Sequence, residues 1–346
     1  MKKLLLVFTC FAIVAGVSLR VVLQWWETPA EARNEVTILV GEGSSLGSVA
    51  RELSAQKLLR WPKMWRLIAR LQGLDSQIKQ GEYRFTAAVT PASLLAALVS
   101  GQVVKYKVTL PEGISLHTAL GILQAQEPML KLLDGVDDPR LLSLVQPAAS
   151  PEGLFFPDTY NYSRTDSDLG ILSLAYRRMQ EVLDSSWQQR EPGLPYTDAY
   201  AALVMASVVE KETGLAAERE QIAGVFVRRL RKNMRLETDP TVIYGLGPDF
   251  GGNLRKRHLT DRANPYNTYR HKGLPPTPIA LPGRAAIEAA LHPAPGTALY
   301  FVARGDGSHQ FSDTLAEHQQ AVRTYQLSRR KNYRSAPTDK TTKGTP

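Results

Sequence analysis

The feature that most restricts this chain lies near its start. Leu4–Leu19 is a run of sixteen residues without a charge, placed behind the basic pair Lys2-Lys3. As a helix it would span about 24 Å, short of a hydrocarbon core of about 30 Å. Arg20 follows, then Val21, Val22, Leu23, Gln24 and the pair Trp25-Trp26. A snorkelling Arg20 and interfacial tryptophans let Leu4–Leu23 cross a membrane with the lysines left in the cytoplasm. Ala30-Glu31-Ala32 resembles a signal-processing site, but Arg20 and two tryptophans separate it from the apolar run. The expectation is therefore an uncleaved single-pass anchor, and either reading exports the rest of the chain.

The exported part contains no thiol. Cys10, the only cysteine among 346 residues, lies inside the apolar segment and lacks the small neighbours of a lipoprotein site. Disulfides and thiol catalysis are thereby excluded beyond the anchor. The six histidines (His117, His258, His271, His292, His309, His318) show no paired ligand spacing, so neither a metal nor a cofactor is expected. The net charge is +9, and the densest basic cluster (Arg228, Arg229, Arg231, Lys232, Arg235) falls on one helix. Such a cluster reads as a solvated face, or as an attraction for an anionic surface. Zinc-finger spacing, an aromatic–basic ribonucleoprotein motif and a P-loop are all missing, so no nucleic acid is expected as a partner.

A strand–turn–helix unit occurs twice. Val36–Val40 reads as a strand, followed by a Gly-Glu-Gly-Ser-Ser turn and an amphipathic helix over Leu46–Leu59. Seventy residues on, Tyr106–Leu110, Pro-Glu-Gly-Ile-Ser and a helix from Leu116 repeat the pattern. Glu42, Gly43, Ser45, Leu46 and Leu53 align with Glu112, Gly113, Ser115, Leu116 and Leu123. Glycine relieves the turn, and serine accepts orphan N–H bonds at the helix start. Between the copies lie a short strand, Gly81–Phe85, and a helix, Pro91–Ser100. Asn34–Gln126 thus reads as a small α+β domain, with either glycan-binding potential by analogy with LysM modules or a plain packing role.

Further along, Pro151–Tyr162 gathers Phe155, Phe156, Tyr160 and Tyr162 with Asp158, Thr159 and Asn161. This is either a sugar-stacking wall or loop packing. Helices are expected over Leu169–Leu183, Thr197–Glu212 and Leu215–Met234. After Asp239-Pro240 the chain is rich in turn residues, and Gly273–Gly283 carries four prolines. That proline segment suits a linker or a preset wall of a cleft. A short helix over Ala285–Leu291, a hairpin of Leu299–Ala303 with His309–Ser312, and a final helix over Thr314–Gln326 complete the fold. The tail from Ser328 is expected to be disordered.

The chemistry points to a carboxylate. Tyr200–Val209 is nearly all apolar and leads directly into Glu210-Lys211-Glu212-Thr213-Gly214. A carboxylate at the edge of a buried helix loses hydration, which raises its pKa into the range of a general acid. Gly214 would end the helix in a left-handed conformation and face Glu212 towards a cleft. Glu210 and Glu212 stand about 200° apart around a helix, so only one can enter that cleft. This disfavours a glycosidase pair from the motif alone, although Asp158 or Asp239 could supply a distant second carboxylate. No Gly-x-Ser-x-Gly elbow exists, and a Ser207–Lys211 dyad is a minor alternative.

The sequence resembles the endolytic murein transglycosylases with a YceG-like domain. The resemblance rests on Glu152–Tyr160, Ala206–Thr213, Arg235–Gly245, Tyr266–Tyr269, Gly273–Pro276 and His292-Pro293-Ala294, in that order. It implies that the glutamate directly before Thr213, Glu212, is catalytic. Asp158, Thr159, Tyr160, Thr238, Asp239, Tyr244, Tyr266, Asn267 and Tyr269 become candidates for substrate contacts or for orienting Glu212. The implied reaction cleaves the bond between N-acetylmuramic acid and N-acetylglucosamine inside glycan strands, leaving 1,6-anhydro ends. A non-catalytic wall-binding scaffold and a muramidase-type hydrolase are the competing readings.

The implied fold class is α+β, with an N-terminal single transmembrane helix and a small LysM-like α+β domain. A mixed α/β catalytic domain with a long central helix follows. The expected divisions are 1–27 for the cytoplasmic stub and anchor, 34–126 for the LysM-like domain, 127–327 for the catalytic domain and 328–346 for the tail. The expected setting is the bacterial inner membrane, with the bulk of the chain periplasmic. Peptidoglycan strands are the expected substrate, and peptidoglycan synthases at the same membrane are expected partners.

Overall fold

A computed structural model describes residues 2–30, 34–86, 88–247 and 250–327. The expected disordered tail lies outside the described residues, as do Glu31 and Ala32 of the processing-like tripeptide. The fold is mixed α+β, and the chain separates into two compact units. One comprises residues 1–107, 127–130 and 161–166; the other comprises 108–126, 131–160 and 167–346.

The first unit begins with α1 (Lys2–Trp26), one helix whose segment Phe8–Trp26 is long and apolar enough to cross a membrane. Its side chains from Phe8 to Leu19 are exposed. Trp25, expected at an interface, is instead only 9% exposed. Its ring centroid lies 5.1 Å from that of Trp61, so the indole is buried against the protein's own apolar surface. Strand β1 (Val36–Val40) pairs antiparallel with β2 (Gly81–Phe85), Val36 opposite Phe85 and Val40 opposite Gly81. Helices α2 (Leu46–Ala55), α3 (Pro62–Leu71) and α4 (Pro91–Ser100) complete this unit's core, in which Leu53, Trp65, Tyr83, Leu94 and Leu98 are fully buried. The buried indole N–H of Trp65 donates to the Pro91 carbonyl at 2.9 Å.

Two differences from the sequence reading occur here. The helix from Leu46 stops at Ala55 because Lys57 turns left-handed (φ 60°), and Leu58 N–H returns to the Leu53 carbonyl. Helix α3 is additional, with Pro62 in its first turn, where a missing N–H costs nothing.

The repeated unit has the expected local chemistry. Gly43 and Gly113 have φ of 70° and 75°. Ser45 caps α2, and Ser115 caps α5 (Leu116–Gln124), each accepting an N–H from the third residue on. Strand β3 (Tyr106–Thr109) leads towards α5, which belongs to the second unit.

The second unit continues with α6 (Pro139–Leu144), the first half of β4 (Thr159–Tyr162), α7 (Asp168–Gln188) and α8 (Ala199–Glu212). It then adds α9 (Arg219–Arg231), α10 (Asp239–Leu246), α11 (Lys256–Thr260) and α12 (Arg284–Leu291). A hairpin of β5 (Tyr300–Ala303) with β6 (His309–Ser312) and helix α13 (Leu315–Val322) finish the described chain. Ala202–Val209 of α8 are all buried, and α7, α9, α10 and α12 pack around them. The apolar run read from sequence is therefore the axis of this unit's core.

Asp239–Leu246 and Lys256–Thr260 are helical where turn residues suggested irregular chain. The expected 215–234 helix is divided: a 3-10 turn over Ala216–Glu218 precedes α9, and a left-handed Asn233 (φ 51°) follows it. The basic cluster at the end of α9 is a solvated face only in part, since Lys232 and Arg235 are exposed while the other three arginines are engaged. Arg228 donates to the Ala294 and Ala298 carbonyls, Arg231 to that of Gly193, and Arg229 is buried. The proline-rich segment packs as a wall on α8, with Ile279 N–H donating 3.0 Å to Ser207 Oγ.

Candidate active site

Helix α8 delivers Glu212 as its last residue. The helix does not end on a left-handed glycine; Thr213 leaves it in an extended conformation (φ −144°, ψ 137°). Thr213 is buried, and its hydroxyl accepts the Leu215 N–H at 2.9 Å, which holds the β-branched residue in that geometry. The two carboxylates diverge as helix geometry requires. Glu210 accepts the Gly283 N–H at 3.0 Å and lies 3.7 Å from Arg219, whose side chain is itself nearly buried. Burial nevertheless keeps the Glu210 pKa above the ordinary range, against the lowering effects of Gly283 and Arg219.

Glu212 faces the start of α10. Thr238 caps that helix without the usual bond that its hydroxyl would accept from a first-turn N–H. Instead, the hydroxyl donates to Glu212 Oε1. Thr238 N–H donates to Thr268 Oγ1 at 3.1 Å, and Thr241 Oγ1 lies within hydrogen-bond distance of both Thr268 Oγ1 and the Thr238 carbonyl. Three buried threonines thus fix the group that touches Glu212.

Glu212 is half-buried as a residue, but its carboxyl end is enclosed by protein. Burial raises its pKa to about 7; the Thr238 hydroxyl opposes the shift, the negative Asp239 adds to it, and Arg229 opposes it. Asp239 Oδ1 accepts the Tyr269 hydroxyl at 2.8 Å, and Tyr269 is itself raised by burial and by Asp239. Arg229 donates to the carbonyls of Leu299, Arg235 and Leu236 and reaches Glu237 Oε2 at 3.2 Å. It therefore pins the segment leading into Thr238.

A second buried acid was not singled out in the sequence. Glu152 is 6% exposed, and burial raises its pKa to about 7. Both of its oxygens accept the Leu116 N–H of α5, at 3.0 and 3.2 Å, and Tyr244 donates to it at 3.2 Å. Tyr244 meets Tyr266 edge-on at 4.9 Å between centroids, and the Tyr266 hydroxyl pairs with Thr277 at 2.8 Å.

Of the remaining candidates, Asp158 and Thr159 are exposed, and the Asp158 carboxylate accepts the Thr159 N–H. Tyr160 bonds the Phe156 carbonyl at 2.6 Å. Among the described residues no hydrogen bond joins these three to Glu212. The aromatic group around them is core: Phe155, Phe156 and Tyr162 are 0, 7 and 2% exposed, which decides for packing over a sugar-stacking wall. Asn267 is fully buried, its amide shared among the carbonyls of His258, Leu259 and Asp261. Ser207 and Lys211 do not meet, since the hydroxyl bonds the Val204 carbonyl and the ammonium bonds that of Gly113. Among the described residues no group of His, Cys, Asp and Glu is arranged to hold a metal.

A model described as the YceG-like family matches residues 38–324. A Bacillus subtilis (strain 168) protein named endolytic murein transglycosylase is 28% identical over 314 residues, covering 85% of this chain and 86% of the relative. A Streptococcus pneumoniae (strain D39) protein of the same name is 25% identical over 328 residues; this chain spans only 59% of its length. The crystal structure of a YceG-like protein from Listeria monocytogenes superimposes with a TM-score of 0.53 at 29% identity, covering 83% of this chain and 98% of that one. The chain belongs to the YceG-like family.

Proposed function

We propose that this chain is an endolytic murein transglycosylase in which Glu212 is the single acid and base. The observation that carries the proposal is a carboxyl group held near pKa 7 at the end of a buried helix, in contact with Thr238 and beside Asp239. A group poised there is protonated in a useful fraction at neutral pH and is an effective proton acceptor once ionised.

In the first step, Glu212 protonates the glycosidic oxygen between N-acetylmuramic acid and N-acetylglucosamine as an oxocarbenium-like state develops. In the second, the ionised carboxylate takes the proton from the muramic acid C6 hydroxyl, whose oxygen attacks C1 to close the 1,6-anhydro ring. The bond from C1 to the leaving oxygen breaks, the bond from C1 to O6 forms, and no water is consumed. Asp239 places a second negative charge near the developing cation, with Tyr269 fixing its orientation. Glu210 is bound to Gly283 and Arg219 and serves the helix end.

The scheme needs no second catalytic carboxylate, which favours it over a muramidase-type hydrolase. The enzyme names of the relatives favour it over a non-catalytic scaffold. The α1 segment would anchor the enzyme in the inner membrane with its bulk in the periplasm. The first strand–turn–helix region would act as a LysM-like glycan-binding domain, and peptidoglycan synthases at the same membrane would supply nascent strands. Purified murein digested by wild type and by Glu212→Gln tests the assignment. Loss of cleavage by about 10²-fold or more is expected, and retention of full activity would overturn it.

A further inference from the structure

A cleft at the C-terminal end of α10 has no part in the chemistry above. It encloses about 240 Å³ and is lined by apolar Leu246 and Phe250 and by polar Asn253, Arg255, Arg257 and His258. Among the described residues, neither Arg255 nor Arg257 has a carboxylate partner. Arg255 N–H donates to His258 Nδ1, and Arg257 Nε lies 3.1 Å from His258 Nε2. Among the described residues, the terminal amines of both guanidiniums have no anion beside them. The neighbouring Arg270, by contrast, is engaged, its Nε donating to the Leu259 carbonyl.

The cleft is also held in place. Asn267 ties the carbonyls of His258, Leu259 and Asp261, and Arg270 Nε donates to the Leu259 carbonyl at 3.0 Å. The segment that performs this anchoring also carries Tyr269, the partner of Asp239. From Asp239 to Leu246 the α10 axis rises about 10 Å. The basic cleft and the Glu212–Thr238 contact thus lie at opposite ends of one short rigid helix.

Unpaired guanidiniums beside a partly apolar cleft suit a carboxylate carried on an organic chain, which offers both charge and apolar surface. The sugar rings of a murein strand are uncharged, and its ionised carboxylates sit on the peptide stems that branch from it. Resting on the transglycosylase reading, we propose that this cleft binds the carboxylate-bearing stem peptide of the murein strand, so that the enzyme prefers peptide-bearing glycan to bare glycan.

The test compares the full-length chain in detergent on intact strands and on strands stripped of their stems whose freed lactyl carboxylates are capped as amides, with anhydro ends as the product measured. Wild type should show kcat/KM about fivefold to tenfold higher on peptide-bearing strands. The double charge reversal Arg255→Glu/Arg257→Glu should bring that ratio close to one through a raised KM. The charge-keeping pair Arg255→Lys/Arg257→Lys should retain most of it. Free stem peptide should inhibit wild type and not the charge-reversed variant. Equal rates on both strands for wild type, or a preference that survives charge reversal, would overturn the proposal. So would binding of anionic vesicles through Arg255 and Arg257 with no stem preference. A failure of the transglycosylase reading looks different, because neither strand would then yield anhydro ends.

Discussion

Thr238 donates its hydroxyl to Glu212, although Thr238 occupies a helix-capping position whose hydroxyl ordinarily accepts from its own first turn. The cap is diverted to a side chain on another helix, and the threonine web with Thr241 and Thr268 keeps it there. This one contact opposes the burial that lifts the Glu212 pKa.

Removing it gives the first prediction. In Thr238→Val the carboxylate loses a donor that favours its charged form, so its pKa rises above the present value of about 7. The protonation step requires the acid form, so the alkaline limb of the kcat/KM profile should move up by about 0.5–1 pH unit. The maximal rate should fall by about threefold to tenfold, because the ionised form is then less well oriented for the second step. A pH profile on isolated glycan strands checks both.

Glu212 also links stability to pH. Its folded pKa of about 7 exceeds the unfolded value near 4.5, so the folded state holds the proton more tightly across that window. Stability from this group is full below about pH 4.5, declines as pH rises towards 7 and is level above. Glu212→Gln removes the cost while keeping the shape. It should be more stable than wild type at pH 8 by about 1–3 kcal/mol, and nearly equal at pH 4.5. Urea unfolding at the two pH values tests this, and equal stability at pH 8 would contradict it.

Gly153 tests the loop that carries Glu152. Its φ is 79°, and a Cβ there would stand 2.3 Å from Pro278 Cβ, within a ring that cannot rotate away. Gly153→Ala should therefore cost about 2–4 kcal/mol in urea unfolding, combining left-handed strain with overpacking.

Arg229 supports Thr238 from behind. Its guanidinium satisfies three carbonyls and approaches Glu237, with the side chain 8% exposed. Arg229→Lys keeps the charge near Glu212 but cannot reproduce the fork. Stability should fall by about 2–4 kcal/mol, and activity should fall with it as the segment before Thr238 loosens. Thermal unfolding and strand cleavage measured together check the pair of effects.

Much of this was legible in the sequence because it is local. Val36–Val40, Gly81–Phe85 and Pro91–Ser100 were readable from β-branched content, alternation and a Pro-to-Gly frame, and the structure places them at those residues. The divergence of Glu210 and Glu212 follows from helix pitch alone. The role of Glu152 depends on Leu116, 36 residues earlier, and Tyr244, 92 residues later; no local pattern reports such partners. Its only sequence signal was an acid inside an apolar, proline-bracketed loop. Helix α10 was concealed for another reason: Asp239-Pro240 reads as punctuation, yet proline in a first turn starts helices as readily as it ends them. The engagement of Arg228 and Arg231 is not legible locally because their partners are carbonyls of remote loops.

The central claim is that Glu212 is the only group that gives and takes the proton and that the muramic acid C6 hydroxyl, not water, attacks C1. Digestion of murein by the wild-type chain in water labelled with oxygen-18, followed by mass analysis of the new ends, tests this most directly. The expected result is 1,6-anhydro ends that carry no label and that vanish in Glu212→Gln. Reducing ends carrying the heavy oxygen would contradict the claim and identify a hydrolase.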